Sequence, residues 1–472
     1  MPQFIGSICV LVHTREAPEP QSVWVPGHTQ ALAAHDTPVG QAEPHAPQFA
    51  ASVAVSTHVL PQSARPAGQL HVLAAHLARE SKQFARRLSD AGLTPADLGS
   101  EEGLRRLPVL QRRDLQIPAA ELHCASIPQA HGPLGESRTS GSTGEPVVIR
   151  RTAVNQLVWR ATNIRSQLWQ GADFAKRTSA IRPQFQGYSI NADRGPPINQ
   201  LFKTGPVQAI PITTDIKQQA ALLREFKPDN LIIYPTNLDH LTRHIRQHGG
   251  APEGLSWVHT IGETLSLRVR KQAEDILGAR VADKYSSQEA GLIAAECPDS
   301  GLYHVIAENL IVEVLKEDGS PCRIGDSGRL VVTDLLNFAT PVVRYNIRDY
   351  AELGGACPCG RGLPTLKRIL GRERNLVTKP DGTRNWPLVG FHQFRDIAPI
   401  QQYQFIQHDL EHIEVRLVSE APLSKAQEGK LAVVIKAALE HDFTLTFNYF
   451  EGELPRGTNG KFEEFVSKLD AA

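Results

Sequence analysis

Hydrophobic positions along this chain follow two spacings, and the alternation between them sketches the fold. From His71 onward, Leu73, Leu77, Phe84 and Leu88 fall at near-helical intervals, and Asp90-Ala91-Gly92 supplies a stop, so folding is expected to begin there. Farther on, helical and strand-like patterns take turns: helix 216–226, strand 230–234, helix 236–247, strand 256–261, helix 265–277 and strand 280–285. That alternation predicts βαβ units and a parallel sheet. Closely spaced strands follow at 310–315 and 329–333, on either side of the turn-rich EDGSPCRIGDSG, and then at 341–346. They predict an antiparallel region beside the sheet. After LGRERN (370–375) come strands 403–407 and 412–418, a helix 424–439 and a strand 443–450. The sum is an α/β chain with two folded parts. A large N-terminal domain, 71–372, combines parallel βαβ sheets with an antiparallel β region, and a small mobile α+β domain, 373–472, lies within the usual size range.

Residues 16–70 break the pattern. They are rich in Pro, Ala, Gln and His, with no Lys or Arg between Arg15 and Arg65. Residues 1–70 are therefore expected to be disordered, or a miscalled extension, and their scattered histidines follow no metal-binding spacing. At 472 residues the remainder is long enough for more than one core. Fifty basic residues offset fifty acidic ones, so no global field gathers nucleic acid or an anionic membrane, and any anion site must be built locally. Phe4 to Val12 is too short, and lacks the preceding basic region, for a signal peptide. No run of about 20 apolar residues occurs, so no membrane span is expected. Six cysteines in this length do not suggest a disulfide framework, and a reducing cytoplasm is the expected location.

One short stretch concentrates small and hydroxylated residues: Thr139, Ser140, Gly141, Ser142, Thr143 and Gly144. Such a loop lets consecutive backbone N–H groups converge on an anion while hydroxyls donate further bonds, and phosphate is the natural guest. It is not a Walker loop, because no lysine follows Gly144. By itself the segment reads equally as a flexible linker. Five later segments change that balance: IGETL (261–265), DKYSSQEAG (283–291), TPVVRYNIRDYAEL (340–353), LGRERN (370–375) and ELPRGTNGKFEEF (453–465).

In this order the segments resemble the core motifs of the adenylate-forming superfamily of acyl-CoA synthetases and adenylation domains, from about residue 71 to the C-terminus. Length, the SSQEAG form and the cysteine pair in GGACPCGRGLP are most similar to the phenylacetate-CoA ligase branch. The resemblance implies ATP contacts from the 139–144 loop, Gly262, Glu263, Tyr285, Ser286, Asp349 and Arg344. Tyr285, placed at the end of a parallel strand, would stack on adenine, and the two acceptor oxygens of Asp349 suit the ribose diol. Glu289 would hold Mg²⁺, a hard cation that favours carboxylate oxygen. Lys461 would bridge the acid and the α-phosphate, stabilising charge that accumulates when one anion attacks another. Arg374 stands where the family has a hinge, although GRERN departs from GRxDD. From the residues alone, a helix-start Glu, a tight turn at Gly262 and an ion-pair cluster of Arg344 and Arg348 with Asp349 remain alternatives.

Cys357 and Cys359 sit on a glycine-punctuated turn, with Cys297 and His304 flanking another. Four such ligands suit tetrahedral Zn²⁺, but reduced buried cysteines are an equal reading of the same spacing. The resemblance implies a structural zinc. It further implies ATP-dependent activation of an aryl or arylacetic acid and transfer to the thiol of CoA, and it allows a homodimer. Phe185 and Tyr188 are candidate walls of the acid pocket. Two other outcomes are carried: a free-standing adenylation enzyme that loads a carrier-protein phosphopantetheine, and a catalytically silent nucleotide-binding protein.

Overall fold

A computed structural model describes residues 64–138, 146–196, 198–385, 394, 396–452, 454–455 and 462–469, with 64–67, 374 and 385 in backbone only. Residues 1–63 lie outside this set. The helix Ala64–Glu80 begins seven residues before the expected start of folding, and Leu70 is buried, so residues 64–70 belong to the fold and not to an extension. A second helix, Lys82–Asp90, is separated from it by Ser81. The Ser81 side chain accepts from the Phe84 N–H at 3.3 Å and donates to the Leu122 carbonyl at 2.7 Å, which caps one helix and ends the other.

After a two-stranded hairpin, β1 (Leu134–Arg138) with β2 (Val148–Thr152), and the helix Ala153–Trp169, the chain builds a six-stranded sheet. Its strands are β3 (Thr178–Arg182), β4 (Ser189–Asn191), β5 (Val207–Pro211), β6 (Asn230–Ile233), β7 (Trp257–Thr260) and β8 (Arg280–Ala282), in the order β4-β5-β3-β6-β7-β8. All pairings are parallel except β4 with β5. The helices Ile216–Phe226, Pro235–His248 and Leu267–Leu277 bury Leu223, Leu238, Leu241 and Val269 against Ile181, Ile210, Leu231 and Val258. Their ends carry local signals: Asp215 and Ser266 at N-caps, Pro235 at a first turn, and left-handed Gly278 at a C-cap.

A second sheet is wholly antiparallel, in the order β12-β13-β14-β15-β11-β10-β9. It comprises β9 (Lys284–Ser287), β10 (Gly291–Glu296), β11 (Tyr303–Val305), β12 (Leu310–Leu315), β13 (Ser327–Asp334), β14 (Tyr345–Leu353) and β15 (Thr365–Arg372). Two expectations fail here. The strand expected at 280–285 is split at Asp283 between the two sheets. The strand expected at 341–346 begins only at Tyr345, because Arg344 sits at φ 50 and turns the chain. Its guanidinium is fixed by Glu313 at 2.9 Å from both Nε and Nη2, and by the Arg105 and Leu107 carbonyls at 2.6 Å each.

After the short ladder of β16 (Val377–Thr378) with β17 (Arg384–Asn385), the last sheet runs β20-β19-β18-β21. Its strands are β18 (Ile400–Gln407), β19 (His412–Ser419), β20 (Thr444–Tyr449) and β21 (Phe465–Ser467), covered by the helix Lys425–Leu439 with a Ser424/Gln427 capping box. A separate apolar cluster of Phe394, Phe405, Val415, Leu431 and Phe443 fills it. Between this sheet and the helices of the first lies Glu464, half-buried, receiving the Tyr403 hydroxyl at 2.9 Å and sitting in the field of Arg268. Arg268 in turn makes a two-pronged pair with Asp239 at 2.7 and 2.9 Å.

On β19 the Arg416 fork clamps Glu414 at 2.8 and 3.1 Å, with His408 at 2.9 Å and Asn448 at 2.8 Å, and holds its carboxyl down to about 2 from an ordinary 4.5. A depressed carboxyl pKa stabilises the fold above the unfolded value, and that contribution is lost as pH falls from 4.5 towards 2. The fall of Tm across that window is expected to be shallower in Glu414→Gln than in the wild type, measured by calorimetry. Equal slopes in the two proteins would refute the assignment.

Candidate active site

Asp283 is where the chain leaves the parallel sheet. Thr260 donates to one of its oxygens at 2.5 Å and Tyr303 to the other at 2.8 Å, while its own N–H donates to Glu296 at 2.7 Å. Arg270 holds Glu296 at 2.9 Å. Burial pushes the Asp283 carboxyl up to about 6. These bonds tie β7 and β8 to β10 and β11, so the next residues pair with β10 instead of β7. Tyr285 therefore does not end a parallel strand as expected. It is the second residue of β9, the edge strand of the antiparallel sheet, just beyond the carboxyl end of β8.

From that position the Tyr285 hydroxyl donates to Asp349 Oδ2 at 2.7 Å, and Arg372 Nε stands 3.6 Å from Asp349 Oδ1. Both Tyr285 and Asp349 are buried. Burial, followed by the Asp349 charge, raises the Tyr285 hydroxyl well above its ordinary range, so it remains a donor. Glu289, after the β9 strand, is also buried, with the Tyr345 hydroxyl at 3.4 Å and Arg112 at 3.7 Å. Its charge and that of Asp349 are both felt at Arg372. Tyr285, Glu289 and Asp349, expected together from sequence, are thus brought together. Sequence reasoning passed over Arg372 and Arg112, although Arg372 is the third residue of the quoted LGRERN.

Other expected residues are placed as follows. Gly262 has φ 76, and a Cβ there would lie 2.7 Å from the Tyr234 ring, so the turn after β7 requires glycine on both counts. Glu263 accepts from the Thr236 N–H at 2.9 Å and its hydroxyl at 2.6 Å, at the start of the Pro235–His248 helix. Ser286 is half-buried opposite Leu292. Arg344 pairs with Glu313, and not with Asp349 as the ion-pair alternative had it. Tyr188 is 48% exposed and Phe185 half-buried, a poor match to an enclosed apolar wall. The 139–144 loop and Lys461 lie outside the described residues, as does the side chain of Arg374.

Comparison with known proteins places this geometry. The chain is 26% identical over 326 residues to a phenylacetate-coenzyme A ligase of Thermus thermophilus, covering 66% of this chain and 70% of that one. It is also 26% identical over 316 residues to the Escherichia coli protein of the same name, covering 64% and 69%. The chain is thus similar to phenylacetate-coenzyme A ligases over about two thirds of its length. Residues 389–468 match the CapK C-terminal domain family, and Protein CapK of Staphylococcus aureus is 23% identical over 382 residues, covering 76% and 79%. The fold of this chain matches 2-hydroxyisobutyryl-CoA ligase in its postadenylation state with TM-score 0.68, at 18% identity, covering 88% and 93%. Against the same ligase in its thioesterification state the TM-score is 0.53, at the same identity and coverage.

The expected cysteine cluster does assemble: donor atoms of Cys297, His304, Cys357 and Cys359 all lie within 4.8 Å of one another. His304 Nε2 is 3.2 Å from Cys359 Sγ, and Cys357 Sγ is 3.7 Å from Cys297 Sγ. A tetrahedron with arms of about 2.0–2.3 Å has edges of roughly 3.3–3.8 Å, so the four atoms fit a zinc ion. Burial, then the nearby Arg361 charge, lowers the imidazole to about 4, which keeps it neutral and able to ligate. Arg361, 3.4 Å from Cys297 Sγ, would offset part of the excess negative charge that three thiolates bring to such an ion.

Proposed function

We propose that this chain joins a carboxylic acid to the thiol of CoA by way of an acyl-adenylate. The observation that carries the reading is the convergence of Tyr285, Asp349, Arg372 and Glu289 just beyond the carboxyl end of a parallel sheet, the edge at which α/β folds take nucleotides. Asp349 accepts the ribose hydroxyls, with Tyr285 and Arg372 fixing the orientation of its carboxylate. The 139–144 loop takes the β- and γ-phosphates, and Gly262 and Glu263 border the nucleotide. Glu289, whose partners stand at 3.4 and 3.7 Å, retains acceptor capacity for a hard cation and would hold Mg²⁺. When bound, that ion neutralises phosphate charge.

In the first half-reaction the acid's carboxylate oxygen attacks the α-phosphorus, the bond to the β-phosphate breaks, and pyrophosphate leaves. Lys461 stabilises the charge gathered between the two anions. In the second, a thiol attacks the acyl carbon, loses its proton and expels AMP. Residues 373–472 act as a lid that turns between these steps about Arg374. The higher TM-score against the postadenylation form supports an arrangement suited to the first. Cys297, His304, Cys357 and Cys359 would hold a Zn²⁺ with a structural role. The aryl or arylacetic class rests on the names of the sequence relatives.

The test is acid-dependent exchange of labelled pyrophosphate into ATP across aryl, arylacetic, fatty and amino acids, with wild type and Lys461→Ala. Exchange with one acid class, reduced by about 10²-fold or more in the variant, is expected. ATP binding without exchange for any acid would instead mark a silent nucleotide-binding protein. CoA and a phosphopantetheine-loaded carrier protein, offered side by side, identify the acceptor.

A further inference from the structure

Glu464 stands three residues after Lys461 in the sequence, and the stretch around it is strapped to β18. The Phe405 N–H donates to the Glu464 carbonyl at 2.8 Å, Gln404 Nε2 to the Glu463 carbonyl at 2.9 Å, and the Tyr403 hydroxyl to the Glu464 carboxylate at 2.9 Å. Asn375 carries this strap back to the large domain. Buried beside the candidate hinge, it accepts on Oδ1 from the Arg372 N–H at 2.9 Å, at the end of β15, and donates through Nδ2 to the Phe465 carbonyl.

Held in this way, the small domain brings the Glu464 side chain to the helix Leu267–Leu277, whose second residue is Arg268. Each charge is felt at the other, and the Tyr403 hydroxyl lies in the same field. Arg268 is itself positioned by Asp239 on the helix Pro235–His248, at 2.7 and 2.9 Å, and Asp239 also takes Arg243 at 3.1 Å and Gln272 Nε2 at 3.0 Å. Asp239 and Tyr403 are buried, and the Arg268 side chain is only 16% exposed. Two arginines thus share one aspartate on the large-domain side, an excess of one positive charge, and Glu464 of the small domain balances it. The contact is present in an arrangement that matches the postadenylation form of 2-hydroxyisobutyryl-CoA ligase better than its thioesterification form. A contact made in one orientation of a mobile domain and not in another shifts the balance between them by what the contact is worth.

We propose that Glu464 and Arg268 are positioning residues, whose pair holds the lid in the orientation for acid activation and parts before the thiol attacks. The proposal rests on the adenylation reading and adds to it what sets the resting orientation of residues 373–472.

The experiment follows the two half-reactions separately, with the acid that wild type activates best. Arg268→Gln and Glu464→Gln are each expected to slow pyrophosphate exchange by about tenfold, mainly in kcat, while thioester formation from CoA and the synthetic acyl-adenylate stays within about twofold of wild type. The double variant should be no slower than either single one, because the two side chains form one contact. Arg268→Lys, which keeps the charge, should recover part of the exchange. Unchanged exchange, equal slowing of both half-reactions, or additive losses in the double variant overturns the proposal. A second readout needs no turnover. Glu464→Gln leaves the Asp239–Arg268 pair and an acceptor for Tyr403 in place, so its Tm should stay near that of wild type. Trypsin cleavage after Arg374 or Lys379 should nevertheless run several-fold faster in this variant, since local opening becomes easier. If no acid supports exchange in wild type, the adenylation reading falls, and equal cleavage rates in wild type and Glu464→Gln overturn the pair as a restraint on the domain.

Discussion

Asp349→Ala is expected to lower kcat/KM for ATP in pyrophosphate exchange by about 10²-fold or more, with most of the change in the KM for ATP. The carboxylate is buried, receives the Tyr285 hydroxyl at 2.7 Å and faces Arg372 at 3.6 Å. Its removal takes away the acceptor proposed for the ribose diol and leaves the buried Tyr285 hydroxyl without its partner beside a half-exposed Arg372. Leaving a buried donor unsatisfied costs about 1–3 kcal/mol before the loss of the ribose contacts is added, and each 1.4 kcal/mol is tenfold. Asp349→Asn keeps the shape and one acceptor oxygen, and should recover part of the loss. If both variants lose thermal stability while the KM for ATP is unchanged, Asp349 is a structural anchor for Tyr285 and nothing more.

The second large effect concerns the cysteine cluster. Wild type should copurify with one zinc per chain by elemental analysis, and Cys297→Ser or Cys357→Ser should bring that close to zero with a marked drop in Tm. Structural zinc contributes about 10–16 kcal/mol of apparent binding energy in small domains, so losing even part of it exceeds any single side-chain contact. The cluster joins the ends of β10 and β11 to the turn before β15, and its loss should loosen this edge of the antiparallel sheet. Exchange activity per folded molecule should survive, because the cluster supplies no group to the reaction. Zinc-free wild type with unchanged Tm in both variants would leave four reduced side chains in their place.

Where a boundary depends on neighbours in sequence, the chain announces it. The helix Ile216–Phe226 appears at its expected limits because Asp215 caps its start and the left-handed Lys227 ends it. Boundaries set by distant partners are silent. Nothing in the apolar run 280–285 reveals that Asp283 will be held by Thr260 and Tyr303, each at least 20 residues away, so the division between two sheets is visible only once the chain is folded. Arg344 likewise reads as a residue near a nucleotide until Glu313, 31 positions earlier, takes its fork. Motif matching located Tyr285, Glu289 and Asp349 because their segments are short and ordered. The fold class is legible throughout. The contacts around the candidate site are not, because Tyr285 meets Asp349 64 positions later in the chain and Arg372 joins them from β15.

The division at Asp283 also sets how such a chain can change. Beyond it, successive residues of one extended strand face different partners: odd parity at 285 turns to Asp349 and even parity at 284 to Asn163 on the helix Ala153–Trp169. A strand transmits little between adjacent side chains, since each stands on its own face of the pleat. The contact with the helix can therefore drift by single substitutions at the even position while the Tyr285–Asp349 contact next to it stays intact, a modular arrangement achieved with no domain boundary between the modules.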